Sequence, residues 1–458
     1  MSSSVGQRSG VGASVPPTPP PPTKILVVSH SAELYSGNAE VVRNILLGLL
    51  ANYSGQYHIR QVGLRPISAV TSVPWEIIPT KRSPSPAGLV LAPSDLDGEE
   101  TLREILSSWL PDLVFIHNDP LPAFRQIMAV SGRVPVLAYL SIDGAPLPDV
   151  LRGLPAKVSF ATMSQFSKQA FCALNGLRAA NCHVVCAPAD TGRFEPVEPA
   201  VKMALRRENR PLDGMEGVFI LGWVGRNQWR KQLWINFQII SLLRTGRYRR
   251  CALCGTAQAL KESGKFCPTC GSASFSPAQP IGDIVLWIHL PTGREKGDWV
   301  LEELERAYGL RAGTDILYSD DCAANSHIAV SDMPLLYQMW DALLYLSGGE
   351  GFGLPSLEAM ACGLPVVYSN YSSHGEWLSA AQGGLGISGI LQPEPPHAIM
   401  RQISDVYQAV GAVLKLYEDR ELGRQFGANG RAFAERHDMD RIAARWHDII
   451  QECIGRFS

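Results

Sequence analysis

From Lys24 onward, short apolar runs alternate with longer stretches in which apolar positions recur every three or four residues. The first run, KILVVSH, ends in small polar residues and is followed by helical spacing from about Gly37 to Leu50. Further strand-like runs are HIRQVGL, DLVFIHND after the helix-like EETLREILSSWL, VPVLAYLS, KVSFATMS and NCHVVCAP. Such alternation predicts an α/β fold, a parallel sheet with helices on both faces.

The pattern breaks at EPVEPAVKMALRRENRPLDG, rich in proline and charge, and then starts again. The second series runs through GVFILGWVG, a helix over WRKQLWINFQIISLL, IVLWIHL, LEELERAYG, ALLYLS, the helix-like LPSLEAMACG and LPVVYS. Two such series joined by a linker predict two lobes facing a cleft, with ligands beyond the carboxyl ends of the strands. The expected divisions are a Pro/Ser/Gly tail at 1–23, a first lobe at 24–195, a linker at 196–214 and a second lobe at 215–437. Helices are expected at 397–415, 421–436 and 439–454, with a C-terminal helix at 438–458 returning to the first lobe.

Composition narrows the class. With 46% hydrophobic and 18% charged residues the chain is ordinary globular material. A net charge of −2 lacks the footprint of strong nucleic-acid binding. No apolar run is long enough to span a bilayer and no secretory leader is visible, so a cytoplasmic protein is expected, with peripheral contact at the inner face of a membrane left open.

The segment GGEGFGLPSLEAMACGLPVV feeds a glycine-rich turn into a helix with proline in its first turn. Gly351 and Gly353 let the backbone approach an anion, and N–H groups of the first helical turn offer donors to phosphate oxygens. Glu350 precedes the helix and Glu358 lies just over one turn inside it, so the two carboxylates can grip opposite ends of a hydroxyl-rich ligand. In WVGRNQWRKQL a strand ends at Gly225, and Arg226 and Lys231 follow on the loop and first helical turn, where two cations can hold a diphosphate. Arg230 is able to substitute for either. Ser36 and Gly37 open a helix after the first strand, and His117 stands near the end of another.

The string EGFGLPSLEAMACGLPVV resembles the signature of the retaining GT-B glycosyltransferases of group 1, the family 4-like enzymes. The resemblance implies two Rossmann-like lobes, a nucleotide-sugar donor on the second and an acceptor on the first. By it Glu350 contacts the donor sugar, Glu358 the ribose, and Gly351, Phe352, Gly353 and Leu354 the diphosphate. Arg226 and Lys231 match the family's diphosphate-binding pair, Gly37 its first glycine-rich loop and His117 a histidine near the sugar. Ala189 and Ser347-Gly348-Gly349 depart from the family pattern and leave the donor open among UDP-, GDP- and ADP-sugars. The implied reaction moves a hexose to a saccharide, lipid or protein acceptor with retention of configuration. No Asp-x-Asp pair stands in a donor loop, so no obligatory catalytic divalent metal is expected. A phosphorylase or epimerase on the same fold, or an inactive partner-binding protein, are the rival readings.

CALC and CPTC place Cys251, Cys254, Cys267 and Cys270 as two knuckles, each followed by glycine, the spacing of a zinc ribbon inserted at 248–275. Four thiolates leave no open coordination position, so the zinc is expected to be structural. Arg244, Arg247, Arg249, Arg250, Lys261 and Lys265 surround it and read as a solvated basic face, with a docking surface as the alternative. Cys172, Cys182, Cys186, Cys322, Cys362 and Cys453 read as buried thiols.

Overall fold

The computed structural model describes residues 20–34, 36–65, 72–80, 95, 97–130, 132–153, 155, 157–176, 182–208, 212, 214–215, 217–260, 265–290, 297–319 and 332–457. Residues 1–19 of the expected tail, Lys261 and Cys322 lie outside them.

The first sheet is built from β1 (Thr23–His30), β2 (Tyr57–Leu64), β3 (Glu76–Pro79), β4 (Leu113–Asn118), β5 (Val136–Leu140), β6 (Val158–Thr162) and β7 (His183–Val184). They lie in the order β3-β2-β1-β4-β5-β6-β7, and all pairs are parallel. Its helices are α1 (Gly37–Asn52), α2 (Glu99–Ser108), α3 (Pro120–Val130) and α4 (Gln165–Asn175). NCHVVCAP, expected as a full strand, pairs over two residues only.

The segment expected as a plain linker contains α5 (Pro199–Glu208), docked on the second lobe. Lys202 and Arg206 each reach Asp341 at 2.8 Å, and the same carboxylate accepts from the Ile220 backbone at 2.8 Å.

The second sheet contains β8 (Phe219–Val224), and a three-stranded insertion of β9 (Tyr248–Cys251), β10 (Ala257–Ala259) and β11 (Phe275–Pro277) follows α6 (Leu233–Thr245). The sheet continues with β12 (Ile284–His289), β13 (Ile316–Tyr318), β14 (Ala342–Tyr345), β15 (Val366–Ser369) and β16 (Gly384–Ile387), in the order β13-β12-β8-β14-β15-β16. Between them run α7 (Leu301–Tyr308), α8 (Met333–Met339), α9 (Leu354–Ala361) and α10 (Ser372–Ala381). Both sheets thus share one winding, with the strand order reversing beside β1 and β4 in the first lobe and beside β8 and β14 in the second. Loops diverge there and leave a crevice.

Two expected helices need correction. Residues 399–404 are a strand, β18 (Ile399–Ser404), paired antiparallel with β17 (Gly389–Glu394). The helix begins only after Asp405, whose carboxylate accepts the Gln408 N–H at 2.9 Å, and runs as α11 (Val406–Glu418). Near Trp229 the chain makes a short 3-10 turn over Trp229–Lys231, and Gln232 takes a left-handed conformation at φ +49 before α6 starts. Lys231 therefore lies before the helix instead of in its first turn.

The chain ends with α12 (Arg420–Arg436) and α13 (Met439–Phe457). α13 packs on the first lobe: Trp446 is fully buried, edge-on to Phe115 at 5.2 Å and to Tyr139 at 4.7 Å. The crossing is fixed where the Ala189 backbone pairs with His437 and Met439, at 2.9 Å each. Among the described residues no helix is long and apolar enough to cross a membrane.

Candidate active site in the interlobe cleft

Loops at both strand-order reversals meet in one cleft of about 370 Å³. The first lobe contributes His30 at the end of β1, Ser36 and Gly37 at the start of α1, Arg65 after β2, Asp119 after β4, and Ser141 and Asp143 after β5. The second contributes Gly225, Arg226, Arg230 and Lys231 after β8, and the run from Glu350 to Pro355 with Glu358 after β14. The site residues expected from the sequence all belong to this cleft or to the cysteine cluster, except His117, which belongs to neither.

Glu350 lies buried among cations. Lys231 Nζ donates to its Oε1 at 2.5 Å and to the Tyr345 hydroxyl at 2.7 Å, while an Arg230 nitrogen stands 3.5 Å from the same oxygen. Burial alone would push the Glu350 pKa up; Lys231 and Arg230 override it and hold it at about 2. Burial brings Lys231 down to about 8, Glu350 opposing and Arg230 assisting, because one carboxylate serves two cations and the weaker base yields. Arg226 makes no ion pair among the described residues. Its pKa is lowered first by burial and then by Arg65 and Arg230, so positive charge accumulates at this end of the cleft.

The backbone between the two glutamates is shaped to be open. Gly353 is the N-cap of α9 at φ +94, a conformation that side chains rarely allow, and a Cβ there would lie 2.6 Å from the His374 ring. Glu358 lies half-buried one turn further on, where the Tyr337 hydroxyl donates to Oε2 at 2.6 Å. Burial raises its pKa, and the Tyr337 hydrogen bond and the charges of Arg193 and Arg43 oppose the rise.

On the first lobe, Ser36 caps α1 by accepting the Ala39 N–H at 3.3 Å and lies 2.9 Å from His30 Nδ1. Burial first, then Arg65 and Arg226, depress the His30 pKa to about 3, so this imidazole is neutral. His117, expected beside the ligand, is fully buried instead, with Nδ1 3.0 Å from the Tyr139 carbonyl and its ring 4.9 Å from that of Tyr139. First-lobe groups that reach the cleft and were missed in the sequence include His30, Arg65, Asp119 and Asp143. Asp119 is raised in pKa first by burial and then by Asp143. A signal was available, since each stands at or just past the carboxyl end of a strand.

The lobes touch at one side of the cleft. Arg401 on β18 reaches Asp143 Oδ1 at 2.9 Å, and the Met400 N–H donates to the Ala145 carbonyl at 2.9 Å. A Cβ on Gly349 would fall 2.1 Å from the Asp143 carbonyl oxygen, and one on Gly351 2.2 Å from Ser141 Oγ, so these glycines permit the approach.

Away from the cleft, Cys251, Cys254, Cys267 and Cys270 bring their sulfurs within 4.8 Å of one another, with Cys251–Cys270 and Cys254–Cys267 contacts of 3.5 Å. Tetrahedral zinc with bonds of about 2.3 Å sets sulfurs about 3.8 Å apart, so the donor set is compatible with it. The knuckles are alike: Gly255 and Gly271 take φ +72 and +73, and their N–H groups donate to the Cys251 and Cys267 carbonyls at 2.9 and 2.8 Å. Arg250 ties the insertion to Glu418 on α11 at 2.5 Å instead of facing solvent freely. Of the remaining described thiols, Cys182, Cys362 and Cys453 are buried, and Cys172 and Cys186 partly so.

Residues 318–433 match the family model described as Glycosyl transferases group 1. A stretch of 47 residues is 51% identical to the O-antigen chain mannosyltransferase B of Escherichia coli, spanning 10% of this chain and 12% of that protein. Among solved structures, HepE of Anabaena with UDP and glucose superposes with a TM-score of 0.60 at 16% identity, covering 94% of this chain and 100% of that one. Sucrose-phosphate synthase of Thermosynechococcus elongatus superposes with a TM-score of 0.65 at 15% identity, covering 95% and 100%. The fold is the two-lobed α/β arrangement named GT-B.

Proposed function

We propose that this chain is a glycosyltransferase that takes a hexose from a nucleoside diphosphate and passes it to a hydroxyl acceptor with retention of configuration. The observation that carries the reading is the placement of Glu350, held ionised by Lys231 and Arg230, at the mouth of a glycine-opened helix start that also presents Glu358. The family match over 318–433 supports it. So do the UDP and glucose of the HepE complex, as the chemistry of a protein with the same fold.

In this reading Glu358 accepts hydrogen bonds from the ribose, the backbone from Gly351 to Leu354 meets the diphosphate, and Glu350 accepts from sugar hydroxyls. Gly37 and Gly225 leave room on either side. Arg226, whose charge is unspent, takes the diphosphate directly, and Lys231 and Arg230 answer the charge that grows on it as the C1–O bond breaks. The acceptor hydroxyl attacks C1 from the face the diphosphate leaves, and its proton passes to a phosphate oxygen, so the step needs neither a strong protein base nor a bound metal. His117 acts from behind, by packing on Tyr139. The acceptor, a saccharide, lipid or protein hydroxyl, enters over the first lobe past His30 and Asp119.

The cysteine cluster, in the same proposal, holds one structural zinc. All four sulfurs are needed to complete its tetrahedron, so it supplies folding energy to the insertion and takes no part in the transfer.

Melting of the protein with UDP-, GDP- and ADP-sugars tests the donor site. A ligand at a hundred times its Kd adds about 2.7 kcal/mol to stability, a shift of several degrees. One of the three series is expected to raise the Tm; an unchanged Tm with all of them would reject the reading.

A further inference from the structure

The helix α10 stands between the two lobes and holds both. Toward the loop before α9, the Ser372 hydroxyl accepts the Glu350 N–H at 3.0 Å and donates to the Glu350 carbonyl at 3.2 Å. His374 Nε2 lies 2.7 Å from the Ser356 hydroxyl in the first turn of α9. Trp377 donates its indole N–H to the Phe352 carbonyl at 2.7 Å and stacks on the Phe352 ring at 4.8 Å. Ser372 keeps its place at φ +57, a left-handed conformation rare for a residue with a Cβ.

Toward the first lobe, the same helix presents Ser373 and Glu376. Ser373 Oγ is 2.6 Å from Ser164 Oγ and 2.9 Å from Ser167 Oγ. The Glu376 carboxylate accepts the backbone N–H of Gln165 at 2.9 Å and of Phe166 at 2.6 Å, the first two residues of α4. Ser164 Oγ caps the third, the Ser167 N–H, at 3.0 Å. The start of α4 thus receives a negative charge and two acceptors from the opposite lobe, where a helix leaves N–H groups unpaired and its dipole favours an anion.

We propose that Glu376 is a positioning residue through which closure of the lobes sets the geometry of the 350–353 loop. It rests on the reading of that loop as the donor-sugar site. When the lobes part, the carboxylate loses both N–H groups of α4, α10 is released on that side, and the Ser372 and Trp377 contacts relax with it. The loop then reaches its working shape only when the acceptor lobe is docked, which protects the donor from water until the acceptor is at hand.

The test compares Glu376→Ala and Glu376→Gln with the wild type. X-ray scattering without ligand is expected to give a larger radius of gyration for Glu376→Ala. With the nucleotide sugar that raises the wild-type Tm, its kcat is expected to fall tenfold or more while the Kd for the matching nucleoside diphosphate moves less than threefold. Glu376→Gln, which keeps one acceptor but no charge, should lie between. An unchanged radius, an unchanged kcat, or a Kd that worsens as much as kcat falls would each overturn the proposal. If no nucleotide sugar affects the wild type, the donor reading itself fails, and the scattering comparison, which needs no ligand, still decides by itself whether Glu376 latches the lobes.

Discussion

Glu350 owes its charge to its neighbours. A carboxylate in this position would take up a proton on burial, and the two cations prevent it. Removing one member of a buried pair leaves the other uncompensated, at a cost of about 3 kcal/mol. Glu350→Gln is therefore expected to abolish transfer and lower the Tm, and Lys231→Met to do the same to a smaller degree because Arg230 still faces the carboxylate. The double variant should melt higher than the sum of the single losses, which a double-mutant cycle by denaturant unfolding measures. The pair also predicts a pH dependence. Lys231, lowered to about 8, is protonated below that pH and loses its charge as pH rises through it. An anion that needs the charge should bind with constant affinity below pH 8 and weaken above it by at most tenfold per pH unit. Calorimetry with the nucleotide at pH 7, 8 and 9 reads this directly; an unweakened Kd at pH 9 would mean that the anion does not meet Lys231. Lys231 and Glu350 were both visible in the sequence as cleft residues, but their contact was not. They are far apart in the chain, and Lys231 meets Glu350 from a short turn that ends at the left-handed Gln232, which the sequence pattern does not show.

At the scale of elements, legibility follows how local the cause is. The start of α9 could be read because its determinants, two glycines and a proline, act within one turn on their own backbone. The cysteine knuckles were readable for the same reason. The β17–β18 hairpin was not: IMRQIS has apolar residues at spacings that suit a helix, and what decides for strand is its antiparallel partner and the first lobe beyond it, reached by Arg401 and Met400. His117 was misplaced along the strand: it still lies inside β4, where its ring packs on Tyr139, while Asp119, just past the strand end, faces the cleft. The insertion offers its own test. Cys251→Ser or Cys270→Ser is expected to lose one bound zinc per chain by elemental analysis and to expose residues 248–277 to protease. Nucleotide affinity in the cleft should stay within threefold, since among the described residues the insertion is tied to α11, by Arg250 to Glu418. Loss of nucleotide binding along with the metal would give the cluster a role in the site.

Across the whole molecule, the doubled series of strands and helices was plain in the sequence, because burial on both faces writes parallel strands as uninterrupted apolar runs. Which loops would face each other was not plain, since it depends on how two separately folded sheets meet. The last helix is one link between them, packing on the first lobe after the second. Trp446 fills the space between Phe115 and Tyr139, and Trp446→Ala is expected to cost about 3–5 kcal/mol of first-lobe stability. Thermal unfolding should then show the first lobe melting ahead of the second, and a single unshifted transition would contradict the assignment of α13 to the first core.

That placement of α13 also orders events in time. On a ribosome the first lobe emerges before the second, yet Trp446, the wedge between Phe115 and Tyr139, is made only after both. The second lobe, continuous in sequence, has its strands complete while the first still waits with an open apolar seam. The chain is therefore born back to front: the half that is synthesised first is sealed last, and during that interval α1 and β4 present a sticky surface that needs shielding until residue 446 arrives.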